Sequence, residues 1–333
     1  MKKLISLTLS ILMLLSCLVL ASCGNSKKTI ADKVAAGETV KIGIIQLMPN
    51  PSLDNCRTGI IDVLQSSGIK YELDVQTGSN NSYESDCAAF AQSMVSGGCD
   101  MIIAIATPAA KPAFTAAADT NIPVVFCAVS DPVDAGLVKS MEEPGENCTG
   151  TSDVLDFTLH VGMIRAFQPD VKTIGVIYTT SEENSLTQLK NLRAVCDGLG
   201  IAVEAVSVQG ASDVPAAAAA VASKSDCILN FTDNNVVQNL ASVLAAAETS
   251  GIPVYGSEEE QVKNGCAASM SIDYVALGKI TGEMAIEIMR GADAATMAVR
   301  KLSEAQPVVN EAALRALNIA IPEAYASAQR VGS

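Results

Sequence analysis

The chain has no tryptophan, a single histidine and no C-x-x-C pair, and each gap closes off a class of function. Zinc centres are assembled from clustered His and Cys side chains, so none is expected around the lone His160. A Ser-His-Asp triad could draw only on that same residue, and neither G-x-S-x-G nor a Walker motif occurs. A binder is therefore expected, not an enzyme, and no cofactor is expected. Basic residues are also scarce: Lys+Arg 22 against Asp+Glu 36 gives a net charge of −14. A chain this acidic repels phosphate backbones and is not expected to bind nucleic acid. Six Phe and six Tyr are few rings for 333 residues, which makes the stacked-ring wall of a sugar site less expected. The long apolar run is confined to Leu4–Leu20.

That run follows Met1-Lys2-Lys3 and ends in Leu20-Ala21-Ser22-Cys23-Gly24. A cationic start, an apolar stretch and a small-residue exit describe a secretory signal. Seventeen residues lie at the short edge of what spans hydrocarbon. The cysteine after Ala-Ser makes the segment look like a bacterial lipoprotein leader. The resemblance implies a signal peptide over 1–22 and a diacylglyceryl thioether on Cys23. The protein is then held on the extracytoplasmic side of the membrane by a lipid anchor. Without Lys2 and Lys3 the mature chain carries −16. Residues 23–38 are small and polar and read as a flexible tether. Of the ten cysteines eight lie in the body, scattered and partly within apolar runs, which suits buried thiols more than disulfides.

From Val40 onward short β-branched runs alternate with longer amphipathic stretches, the pattern of a parallel α/β sheet. The body is too long for one ordinary core and suits two lobes. Strands are expected over Val40–Leu47, Lys70–Gln76, Asp100–Ala106 and from Ile122. A second set follows over Thr173–Tyr178, Ile201–Val208, Asp226–Phe231 and Ile252–Tyr255. A weak repeat supports the pairing: Cys99–Ala104 leads through a helix to Ile122-Pro123-Val124, and Ser225–Asn230 leads through another to Ile252-Pro253-Val254. The expected division places 39–150 and 272–297 in lobe 1, and 151–271 and 298–333 in lobe 2. In such folds ligands sit at the carboxyl ends of the strands, in the crevice between lobes.

Several segments in order carry a family resemblance. They are Lys41–Gln46, Ile103–Ala110, Ile122–Val133, Asn147–Asp153, Thr173–Tyr178, Ser181–Ser185, Thr232–Asn234, and Ile272–Tyr274 with Gly278 and Gly282. Together these resemble the ABC transporter substrate-binding lipoproteins of the tryptophan/tyrosine-binding type. The resemblance implies a type I periplasmic-binding-protein fold, with two doubly wound lobes and a three-segment hinge. It implies capture of a small ligand, an aromatic or other apolar amino acid, and delivery to a permease dimer driven by an ATPase. Family members often carry a histidine after the first strand, where this chain has Met48-Pro49-Asn50-Pro51. A ligand-presenting sensor, or a binder of a sugar or nucleoside, remains an alternative reading, and a monomer is expected.

An amino-acid zwitterion needs donors for its carboxylate and acceptors for its ammonium. Strand ends offer Thr107 and Ser130 in lobe 1, and Ser181, Asn184, Asp233, Asn234 and Glu258 in lobe 2. Met48 and Asn50 join them from the first loop. Asp233 follows a buried strand directly and is the expected ammonium partner, because a buried carboxylate is costly unless paired. Each hydroxyl or amide could equally be a helix cap, and His160 is expected on a helix surface.

Overall fold

The computed structural model describes residues 28–79, 82–302 and 304–332; the leader and Cys23 lie outside them. In chain order the strands are β1 (Val40–Gln46), β2 (Tyr71–Thr77), β3 (Met101–Ile105), β4 (Val124–Cys127), β5 (Cys148–Ser152), β6 (Thr173–Thr179), β7 (Ala202–Val208), β8 (Cys227–Leu229), β9 (Val254–Tyr255), β10 (Ala268–Ser271), β11 (Arg300–Lys301), β12 (Gln306–Asn310) and β13 (Gln329–Val331). The helices are α1 (Ile30–Ala35), α2 (Pro51–Ser66), α3 (Tyr83–Ser96), α4 (Thr107–Ala117), α5 (Phe157–Phe167), α6 (Glu183–Leu199), α7 (Val214–Ala222), α8 (Asn234–Gln238), α9 (Leu240–Ser250), α10 (Glu259–Lys263), α11 (Tyr274–Met289) and α12 (Glu311–Ala316).

Lobe 1 is a parallel sheet in the order β2-β1-β3-β4-β5-β11. Lobe 2 repeats the plan as β7-β6-β8-β9, also parallel. Runs such as Met101–Ile105 are buried at every position, as strands covered on both faces require. A small sheet of β10, β12 and β13 completes lobe 2. Among the described residues no helix is long and apolar enough to cross a membrane.

The expected lobe boundaries move. Thr151 and Ser152 remain in the first sheet, where they pair with Arg300 and Lys301. The first crossing therefore falls after Ser152 and the third after Lys301, not at 150 and 297, because two separate chain segments complete one sheet edge. The expected tether is also shorter. Ile30–Ala35 is helical, started by a Thr29–Asp32 capping box. Ile30 and Val34 pack on the lobe 1 core, and Lys33 pairs with Asp100 at 2.7 Å. Between β8 and β9 the chain forms two helices: Asn239, at φ −107° and ψ 22°, ends α8 and starts α9.

The third segment returns α11 to lobe 1 against α2. That packing depends on glycine: a Cβ on Gly59 would lie 2.1 Å from the Val275 carbonyl oxygen, and one on Gly278 the same distance from that of Cys56. All eight body cysteines are free thiols, seven buried and Cys99 half-buried. His160 is 2 % exposed, not on a surface; its Nδ1 meets the Asp156 carbonyl at 2.9 Å, and burial keeps the ring neutral by lowering its pKa.

Candidate functional site

The carboxyl ends of the two parallel sheets face each other across a cleft. In lobe 1 the chain leaves β3 through Ala106, at φ 83°, and leaves β4 through Ala128, at φ 55°. Left-handed backbone at a non-glycine residue is strained, and here it occurs twice on one wall. The turn at Ala106 starts α4 at the cleft, where a helix N-terminus favours anions. Thr107, 3 % exposed, opens that helix with a hydroxyl that has no partner.

Ser130 and Asp153 follow β4 and β5. The Ser130 hydroxyl donates to Asp153 Oδ1 at 3.0 Å, and the Tyr274 hydroxyl donates to Oδ2 at 3.1 Å. Asp153 is buried, and desolvation pushes its carboxyl above the ordinary range while the two hydroxyls pull it down. Across the cleft Glu258 follows β9. It receives the Ser52 hydroxyl at 2.7 Å and the N–H groups of Glu260 at 2.7 Å and Gln261 at 3.0 Å. Burial pushes Glu258 up to about 7.

The lobes are closed on each other. Besides Ser52–Glu258, Asn235 Nδ2 donates to the Tyr83 hydroxyl at 2.8 Å, and Gln188 Nε2 reaches Ser130 Oγ at 3.5 Å. Lys111–Glu183 and Lys190–Asp134 add exposed ion pairs at the rim. Between the walls lies a narrow cavity of about 40 Å³, room for a few water molecules in this closed arrangement. Its lining holds two carboxylates, Asp153 and Glu258, and no Lys, Arg or His. Leu53, Val237, Ala106 and Ala128 supply apolar surface.

Of the residues expected from sequence, Asn50, Thr107, Ser130, Asn184, Asn234 and Glu258 line this cavity. Three do not. Met48 is fully buried in the lobe 1 core. Ser181 is exposed and is not in the lining. Asp233 is the substantive correction. Its Oδ2 receives Thr179 N–H at 2.5 Å and Ser185 Oγ at 2.6 Å. Its Oδ1 receives Thr179 Oγ1 at 2.8 Å and Val236 N–H at 3.0 Å. It caps α8 and ties β6 to β8, and it is not in the cavity lining. Leu47 and Tyr255, at the ends of their strands, are core and not lining.

Sequence reasoning missed Asp153 and Tyr274 as site residues, although both end segments that carried the family resemblance. The rule applied to Asp233, a carboxylate just after a buried strand, selects Asp153 as well. Ser52, Thr232 and Gln261 were also missed.

Two sheets, hinged by three segments and closed over a polar-walled cavity, define a two-lobed ligand-binding protein. Residues 41–331 match the family described as ABC transporter substrate binding protein, and the chain belongs to that family. The tyrosine-binding protein of Clostridioides difficile (strain R20291) is 36 % identical over 300 residues, covering 89 % of this chain and 86 % of that one. An ABC domain from Streptococcus pneumoniae in complex with L-Trp superposes with a TM-score of 0.83 at 34 % identity, over 88 % of this chain and all of that one. A ligand-free, open substrate-binding protein with adhesive properties from Clostridium difficile is 36 % identical over 88 % of this chain and 99 % of that one, yet its TM-score is 0.68. At nearly equal identity, the better fit to the liganded protein agrees with the closed lobes. Proteins of this family act outside the cytoplasm and present their ligand to an ABC permease.

Proposed function

We propose that this chain is the solute-binding lipoprotein of an ABC importer, taking an aromatic or other apolar amino acid between its lobes. The observation that carries the reading is the charge of the cavity wall. Asp153 and Glu258 are buried there with no side-chain cation in the lining. A buried carboxylate without a partner charge is costly, and a ligand ammonium supplies that partner. The Thr107 hydroxyl at the start of α4 suits the ligand carboxylate. The apolar patch of Leu53 and Val237 suits its side chain. The relatives support the class: one is named for tyrosine and another holds L-Trp.

The work is capture and release, with no covalent step, and the protein acts as a monomer held by a lipid on Cys23. Residues 39–152 and 272–302 form lobe 1 in this reading, and the rest forms lobe 2. The lipid anchor is tested by Cys23→Ser: the variant should leave the membrane fraction, and retention there defeats the anchor. The ligand is tested by thermal shift of residues 24–333 against free amino acids, with sugars and nucleosides as controls. A ligand that binds only the folded state stabilises it by about 2.7 kcal/mol at a hundredfold excess over Kd. Stabilisation by a sugar or nucleoside alone would overturn the ligand class.

A further inference from the structure

We infer that Asn184 reads the ring substituent of the ligand, accepting a hydrogen bond from a phenol O–H or an indole N–H. The inference rests on the amino-acid reading above and names the part of the ligand that lobe 2 recognises.

Asn184 sits in the first turn of α6, 5 % exposed, and lines the cavity. Its Nδ2 donates to Glu182 Oε2 and to the Thr232 carbonyl, each at 3.2 Å. Turning the amide over would set Oδ1 against the Thr232 carbonyl. It would also face Glu182, whose oxygens already receive N–H donors from Asn234 and Asn235. The amide orientation is therefore fixed by its neighbours, and Oδ1 is left buried with no partner. A buried acceptor without a donor is unfavourable, and a ligand donor relieves it.

The neighbouring polar groups of this wall already have partners. Gln188 and Thr232 bond to each other through Nε2–Oγ1 at 2.7 Å and N–Oε1 at 3.1 Å. Gln261 donates to the Phe231 carbonyl at 3.1 Å and accepts from Asn230 and Ser257. Asp153 and Thr107, suited to the ligand's ammonium and carboxylate, lie on the other lobe, and the lobe 2 carboxylate Glu258 already accepts from Ser52 and two backbone N–H groups. The ligand side chain is then the part that crosses to Asn184. Tyrosine and tryptophan carry a ring donor and phenylalanine does not. A site built around a hydrogen bond rejects an analogue that lacks it, because its own polar group then stays unpaired.

Calorimetric titration of the whole mature chain with L-Tyr, L-Trp, L-Phe and β-(benzothiophen-3-yl)alanine tests this. The last ligand keeps the shape of tryptophan and replaces N–H with sulfur. Tyrosine should bind at least tenfold tighter than phenylalanine, and tryptophan at least tenfold tighter than the sulfur analogue. In Asn184→Ala both ratios should collapse toward one. Equal binding of all four ligands by the unaltered protein overturns the inference without any variant. So does a variant that weakens all four by one common factor, which would make Asn184 a support of the wall or a partner of the ammonium. Absence of binding by every amino acid overturns the ligand class itself, and this inference with it.

Discussion

On the lobe 1 wall Asp153 receives two hydroxyls, from Ser130 and Tyr274. On lobe 2 Asp233 receives two hydroxyls and two backbone N–H groups, from Thr179, Ser185 and Val236. Both carboxylates are buried, both follow a strand, and burial raises both. Backbone donors cannot turn away, so Asp233 is committed to the fold. Hydroxyl donors rotate, and each oxygen of Asp153 keeps acceptor capacity for something else. The backbone separates the walls in the same way. Among the described residues, the non-glycine left-handed positions beside the cavity, Ala106 and Ala128, are both in lobe 1. The lesson is that burial of a charge does not locate a site; the kind of donor that satisfies it does.

The comparison breaks most sharply at Asp233. Asp233→Ala leaves the N–H groups of Thr179 and Val236 unsatisfied and removes the cap of α8. We expect a loss of roughly 3 kcal/mol or more in stability, read by chemical denaturation, with ligand affinity of the folded fraction nearly unchanged. A variant that kept its stability and lost its ligand would restore Asp233 to the site. Asp153→Asn should do the reverse. It keeps the shape and both neighbours but loses the charge proposed to face the ligand ammonium. Affinity should fall about a hundredfold, or about 2.7 kcal/mol, with the melting temperature of the ligand-free protein little changed. Thr107→Val sharpens the same wall at lower cost, removing a hydroxyl that has no internal partner. We expect about tenfold weaker binding and no loss of ligand-free stability, since nothing in the protein bonded to that oxygen.

Much of the architecture was legible because strand burial leaves a plain signature. Ile102–Ile105 and Ile174–Ile177 read as strands covered on both faces, and the Ile-Pro-Val repeat reported that one plan was used twice. What sequence could not separate were residues of one type in one kind of place. Asp153 and Asp233 both follow a strand, and the difference lies in Ser130, Tyr274 and Thr179, brought to them from distant segments. Met48 and Asn50 stand two residues apart in one loop; the α2 cap formed by Asn50 turns one to the cavity and leaves the other in the core. The helix at Ile30–Ala35 was hidden in a small polar stretch, because its capping box is a local device while its packing partner is Asp100. His160 was misplaced for a similar reason, since its polar need is met by the carbonyl one turn back, which frees the ring for burial against Phe157.

The smallest effect concerns closure itself, through Glu258. Its carboxyl is raised from 4.5 to about 7 by burial, against the pull of Ser52 and two N–H groups. A raised carboxyl binds more protons folded than unfolded between about pH 4.5 and pH 7. Its contribution to stability is therefore complete below that window and is lost as pH rises through 7. Glu182, raised to about 8 by burial and by the charge of Asp233, acts in the same direction and extends the window upward. The melting temperature of the ligand-free protein should thus fall from pH 5 to pH 8. Glu258→Gln should flatten the lower part of that slope and leave the part owed to Glu182. Ser52→Ala separates closure from folding, because Ser52 reaches Glu258 across the cleft while the two N–H donors belong to lobe 2 itself. Removing the hydroxyl weakens the closed state by about 1 kcal/mol and leaves each lobe intact. Small-angle scattering of the ligand-free protein should then report a larger radius for the variant, growing with pH as Glu258 ionises. An unchanged radius at every pH would mean that Tyr83–Asn235 and the rim ion pairs hold the lobes together without Glu258.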